Sequence, residues 1–254
     1  MNMKLKSILG LFSYIIMVGV NALAIVLPIN QKTTVELSNK YDNLFVPAGF
    51  TFSIWSIIYI LILIVVIQLI VSAFNNRKDI PSGLPNLFFI TCACNALWIV
   101  AWHYERTFLS VCIMLILLIT LCIIYLGIRS MPNKSKAIPY TLQLPFSIYL
   151  AWISIATIAN ISAYLTKLHW QGLGLSPVIW TIIMITIALI LCLKIIHQYR
   201  DIGFTLTICW ALWGIYANLK YKNVEDPFFM YIPSTGIAIL ILFSLYKYVY
   251  KTAN

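Results

Sequence analysis

The sequence predicts an all-α polytopic membrane protein, and three observations carry that prediction. Of its 254 residues, 62% are hydrophobic and only 9% charged, against roughly 25% charged in a soluble domain. The mean hydropathy is +0.93. The apolar residues also run in long unbroken stretches. Inside a bilayer every backbone N–H and C=O needs an internal partner, so only helices and closed barrels span it, and unbroken runs exclude the alternating pattern of a barrel strand.

About 20 apolar residues are needed to cross the hydrocarbon core. Eight stretches meet that length, at roughly 8–28, 50–73, 86–103, 108–130, 142–165, 176–197, 203–220 and 229–249. The first follows Lys4 and Lys6 and reaches Ala22-Leu23-Ala24, which resembles the end of a secretory leader. Its apolar run exceeds the ~7–15 residues of such a leader, so it reads as a spanning helix. The second is preceded by the longest connection, between Ile29 and Gly49, and no connection is long enough for a separate soluble domain. Turn-forming residues at 75–83, 131–136 and 172–177 punctuate the later spans. The third and seventh spans are the shortest.

Eight spans place both termini on one side. Lys4, Lys6, Arg77, Lys78, Arg129, Lys134, Lys136, Lys194, Arg200, Lys247 and Lys251 then share that side, and Lys32, Lys40, Arg106, Lys167, Lys220 and Lys222 the other. The excess of positive charge predicts cytoplasmic termini, with the cell membrane as the expected location. The net charge of +10 is thereby read as topological, and nucleic acid is not an expected partner. Six cysteines, Cys92, Cys94, Cys112, Cys122, Cys192 and Cys209, all fall within apolar spans and read as small packing residues.

No catalytic signature is present: there is no G-x-S-x-G, H-E-x-x-H or Walker loop, and no acid pair lies within a span. His103, His169 and His197 sit near span ends with no second ligand one turn on, so they read as interfacial or solvated and no metal site is expected. Lys194 is the one charge that could lie deep, and its position near a span end lets it snorkel. An ion-coupled pump is therefore disfavoured.

The spans do repeat a pairing of aromatic and amide. Asn95, Trp98 and Trp102 stand at i, i+3 and i+7, on one helical face. Trp152, Ala156 and Asn160 stand at i, i+4 and i+8, with Tyr149 one turn earlier, and Trp210 and Asn218 repeat the eight-residue interval. Such faces either pack helix against helix, the amides bonding between them, or converge on a pocket whose rings stack on a flat apolar ligand and whose amides orient its polar edge.

Three stretches resemble the TspO/MBR family of tryptophan-rich sensory proteins, relatives of the mitochondrial translocator protein. Phe45-Val46-Pro47-Ala48-Gly49-Phe50-Thr51-Phe52-Ser53-Ile54-Trp55, continuing to Tyr59, is similar to that family's W-x-P-P-G-x-x-F…V-W-T-x-L-Y, with Phe45 at the loop Trp and Ala48 at the second Pro. Asn95-Ala96-Leu97-Trp98 resembles its N-x-x-W. Tyr149-Leu150-Ala151-Trp152-Ile153-Ser154-Ile155-Ala156, continuing to Asn160, is similar to its Y-L-x-W-x-S-x-A-x-x-x-N. The resemblance implies a TspO-like five-helix transmembrane core over 1–167 and a three-helix extension over 168–254.

It further implies a ligand site opening towards the first loop and formed by Phe52, Trp55, Tyr59, Asn95, Trp98, Tyr149, Trp152, Ala156 and Asn160. The implied function is that of a membrane receptor or binding protein for tetrapyrroles, porphyrin or haem-like, or similar planar hydrophobic molecules, with sensing or transfer as output. No resident cofactor is required, and porphyrin breakdown enters only by analogy with relatives. The alternative is a transporter of a small hydrophobic solute by alternating access. The lipid bilayer and the hydrophobic ligand are the expected partners; the C-terminal helices, where Trp210 to Asn218 echo the fifth span, would complete a pocket wall or make a homodimer contact.

Overall fold

The structure, a computed structural model, describes residues 2–252 apart from Pro28, Asp42, 77–79, Ser82, 132–136, Asn223 and Glu225. The expected cytoplasmic cations Arg77, Lys78, Lys134 and Lys136, with Asp79, Ser82 and the rest of 132–136 from the turn stretches, lie outside the described residues. Among the described residues the structure is helical and has no strand. The helices are α1 (Met3–Val26), α2 (Thr34–Lys40), α3 (Ile54–Phe74), α4 (Leu84–His103), α5 (Thr107–Arg129), α6 (Ala137–Lys167), α7 (Pro177–Tyr199), α8 (Ile202–Tyr221), α9 (Pro227–Met230) and α10 (Ile232–Thr252). Eight of these regions are long and apolar enough to cross a membrane, matching the eight expected spans. The protein is an integral multi-pass membrane protein.

The helix ends follow local chemistry. Ser176 caps α7 by accepting from the Ile179 N–H at 3.3 Å, with Pro177 in the first turn, where its missing N–H costs nothing. Asp201 caps α8 by accepting from the Phe204 N–H at 3.0 Å. The preceding Arg200, at φ 51°, closes α7 in the left-handed region, so one pair of residues ends one helix and starts the next.

The connection before the second span is not the plain loop expected. It contains α2, whose start is a reciprocal capping box. The Thr33 N–H donates to Glu36 Oε2 at 2.6 Å, and the Glu36 N–H donates to Thr33 Oγ1 at 3.2 Å. The bond from the Thr33 N–H, and a second from the Thr33 hydroxyl to the same carboxylate oxygen at 2.9 Å, stabilise the carboxylate and hold Glu36 below its ordinary pKa. A carboxyl lowered on folding favours the folded segment above its unfolded pKa and loses that contribution as pH falls through the folded one. Amide protection factors across α2, corrected for the intrinsic exchange rate at each pH, are therefore expected to fall at acid pH, and in Glu36→Gln to be lower already at neutral pH with less dependence on acid. Equal protection in the two proteins at both pH values would exclude the box as the helix's anchor.

The chain divides into two compact units. Unit 1 comprises residues 1–37 and 54–153; within it α4 packs on α1 and α5, and α1 on α3. Unit 2 comprises 38–53 and 154–254; within it α10 packs on α7 and α8, and α8 on the 3₁₀ turn Gly49–Ser53. Helix α6 contributes its first part to unit 1 and its second to unit 2. The expected boundary at 167/168 is one of family resemblance, whereas this division follows packing.

Helix α1 is a structural member of unit 1. Tyr14, Met17, Asn21 and Ala24 form its buried face, and the Tyr14 hydroxyl donates to the Tyr59 carbonyl on α3 at 2.9 Å.

Candidate ligand-binding site

Within unit 1 the side chains of three helices gather around Trp55, in the first turn of α3. Tyr59, one turn on, stacks on it, with ring centroids 5.6 Å apart and planes 20° apart. From α4, Trp98 lies 6.0 Å away at 30°. From α6, Tyr149 and Trp152 present their edges at 6.0 Å and 6.2 Å. Trp102 extends the row, stacked on Trp98 at 6.4 Å. Pairs of this geometry contribute about 0.5–1.5 kcal/mol each beyond the area they bury. Trp98, Tyr149 and Trp152 are buried, whereas Trp55 and Tyr59 are only half-buried, so the cluster is approachable from its α3 side. The Tyr59 hydroxyl is itself buried beside the Asn95 amide and, among the described residues, meets no partner in hydrogen-bonding geometry.

A chain of buried amides runs beside the rings. Asn21 on α1 donates to Met17 O at 2.9 Å and to Asn95 Oδ1 at 2.7 Å, and Asn95 Nδ2 in turn donates to the Tyr149 hydroxyl at 2.8 Å. Asn95 is wholly buried, so these bonds satisfy polar groups that have no water to turn to. The amides thus act as interhelical links, one of the two readings the sequence left open. Asn21 escaped the sequence reading. Its signal was a lone amide in an apolar span, seven residues after Tyr14 on the same helical face.

Six of the nine expected residues therefore belong to unit 1, and Phe52, Ala156 and Asn160 to unit 2. Phe52 is half-buried in the Gly49–Ser53 turn. Asn160 is buried, and its amide reaches back to Ala156 O in its own helix at 3.4 Å. Of the three histidines, His169 and His197 are exposed as expected. His103 is not: it is wholly buried, with Nδ1 2.8 Å from Ile99 O, because the last turn of α4 turns it inward.

The echo motif of α8 has a specific task inside unit 2. Trp210, Gly214 and Asn218, at i, i+4 and i+8, present one face to the backbone of 46–51. The Trp210 indole N–H donates to Thr51 O at 3.0 Å, the Ala48 N–H to Gly214 O at 2.9 Å, and the Asn218 amide to Val46 O at 2.8 Å. Phe50 sets its ring edge-on to Trp210 at 5.5 Å. Gly214 permits the approach, since a Cβ there would collide with Thr51 Cγ2 and lie 3.1 Å from Pro47 Cβ. The segment most similar to the TspO loop is thus strapped to a helix of the expected extension.

A family model described as TSPO-like protein matches residues 7–246, from α1 into α10. Neither the curated proteins nor the solved structures contain a match to the chain. The family match covers nearly the whole sequence and agrees with the all-helical, eight-span architecture: the chain belongs to the TSPO-like protein family.

Proposed function

We propose that the protein is a membrane receptor for planar hydrophobic small molecules of the tetrapyrrole class, with sensing or transfer as its output and both termini in the cytoplasm. The observation that supports this reading is the gathering of Trp55, Tyr59, Trp98, Tyr149 and Trp152 in one cluster beside the Asn21–Asn95–Tyr149 chain. Aromatic faces bind flat rings by stacking, and a few fixed polar groups orient them. The ring faces now stack on one another, so a ligand enters by parting Trp55 from its neighbours, and it finds there the Tyr59 hydroxyl, which has no partner in hydrogen-bonding geometry among the described residues.

Titration of the purified full chain with protoporphyrin IX tests the proposal, read by tryptophan quenching and by the porphyrin absorption band. Saturable binding is expected, weakened at least about tenfold, or ~1.4 kcal/mol, in Trp55→Leu. It should be unchanged in Trp213→Phe, whose ring is 48% exposed. Absent saturation, or equal affinity in a folded Trp55→Leu, would return the cluster to a packing role.

A further inference from the structure

Unit 2 contains a cavity of about 570 Å³, within the ~300–1,000 Å³ typical of small-molecule sites. It lies between the end of α6, the turn that follows, the start of α7 and Lys222 just past α8, with Asn43 and Leu44 at one side. One wall is fixed by the Trp180 indole N–H, which donates to Gly172 O at 2.8 Å, and by Trp170, packed against Trp180 at 4.9 Å. Gly172 has φ +64°, and a Cβ there would stand 3.0 Å from Trp180 Nε1, so no side chain fits beneath the ring.

At the inner end of the cavity the side-chain donors are taken while acceptors remain. Ser162 and Thr181 are buried there, and Thr166 is half-buried beside them. A hydroxyl has one proton and two lone pairs. The Thr166 and Thr181 protons go to carbonyls of their own helices, Ser162 O at 2.9 Å and Pro177 O at 2.8 Å. The Ser162 proton has Ile158 O at 2.9 Å and Met184 Sδ at 3.0 Å as its acceptors. Hydroxyl oxygens thus keep accepting capacity among the apolar surfaces of Leu165, Met184 and Trp180. The cation at the outer end, Lys222, is already engaged, with Asn43 O 3.5 Å from its Nζ as one of its partners. A charged ligand would therefore lose water at the inner end without a compensating partner, whereas a neutral donor finds one.

We propose that this cavity is a second binding site, for a neutral fused-ring aromatic molecule that carries a ring N–H or a phenolic O–H. The donor bonds to the hydroxyl oxygen of Ser162 or Thr181, and the flat body lies against Trp180 and Met184, where ring and thioether sulfur both favour aromatic contact. A molecule of the same shape with an ether oxygen in place of the N–H sets acceptor against acceptor, and one with a methylene forfeits the bond. The site shares no residue with the aromatic cluster and stands independently of the porphyrin reading.

The full chain in phosphatidylcholine nanodiscs is titrated with carbazole, dibenzofuran and fluorene, each brominated at the corresponding ring position, with tryptophan quenching by bromine as readout. Concentrations are taken per mole of lipid, which removes unequal partitioning. The carbazole is expected to quench saturably, at least about fivefold more tightly than the other two, the scale of one hydrogen bond. Ser162→Ala and Thr181→Val together, which remove the buried acceptors without filling the cavity, should abolish that preference. Thr166→Phe, which places a ring in the cavity, should abolish the saturable component. Quenching that only rises linearly with every probe, equal affinity for all three in the unaltered chain, an undiminished carbazole preference in the folded double variant, or saturable quenching that persists in a folded Thr166→Phe would overturn the proposal. The three-probe comparison needs no variant, so equal affinities there are decisive even where a variant fails to fold.

Discussion

Gly214→Ala is expected to destabilise unit 2 by about 1–3 kcal/mol, although alanine is the better helix former. Propensity alone favours the substitution by about 1 kcal/mol. Against it stands the collision of the new Cβ with Thr51 Cγ2 and its approach to Pro47. Thr51 is buried, and its N–H already donates to Ala48 O at 3.0 Å. Its short branched side chain has no flexible end to move aside, so the backbone of 46–51 must retreat from α8. Overpacking of this kind costs about 1–3 kcal/mol, and the retreat strains the bonds to Trp210, Gly214 and Asn218, each contributing about 1 kcal/mol. The clash therefore outweighs the propensity. Gly127→Ala is the control, since a Cβ there meets nothing within 4 Å, and it should be neutral or mildly stabilising. Thermal unfolding in detergent together with proteolysis near residues 43–53 reads both effects; matching behaviour of the two variants would show that the close approach is immaterial.

Asn95→Leu carries the other large effect, an expected loss of about 1–3 kcal/mol. Interhelical polar contacts in membranes average only ~0.6 kcal/mol, with a maximum near 1.7, so a single link would be modest. Asn95 makes two, and its removal leaves the Tyr149 hydroxyl without its donor and takes away an acceptor of Asn21. A buried group stripped of its partner costs about 1–3 kcal/mol. The decisive comparison is a double-mutant cycle with Asn21→Leu, in which the double variant should lose less than the two single losses added. Strict additivity would mean that the two amides do not depend on each other. Porphyrin titration of the folded variants separates this linkage from ligand recognition, since the amides are proposed to set the geometry of the rings.

Helix number and extent were legible from composition and run length, because a helix satisfies its backbone within its own segment and in lipid it has no competitor. The grouping of Asn95 with Trp98, and of Tyr149 with Trp152, followed from helical spacing alone. The capping box at Thr33 and Glu36 stands in the sequence in T-x-x-E order, but the segment reads as loop and only the structure revealed the helix it starts. Which faces turn inward was a different matter. In a membrane helix the lipid side is as apolar as the core side, so hydropathy does not mark the buried stripe: Asn21 offered only a lone amide in register with Tyr14, and His103, near a span end, gave no sign of its depth. The clasp of α8 on 46–51 joins residues 159 and 172 positions apart. Local pattern carries no information about such pairings; they are decided when packing chooses which small residue, here Gly214, lets two backbones meet.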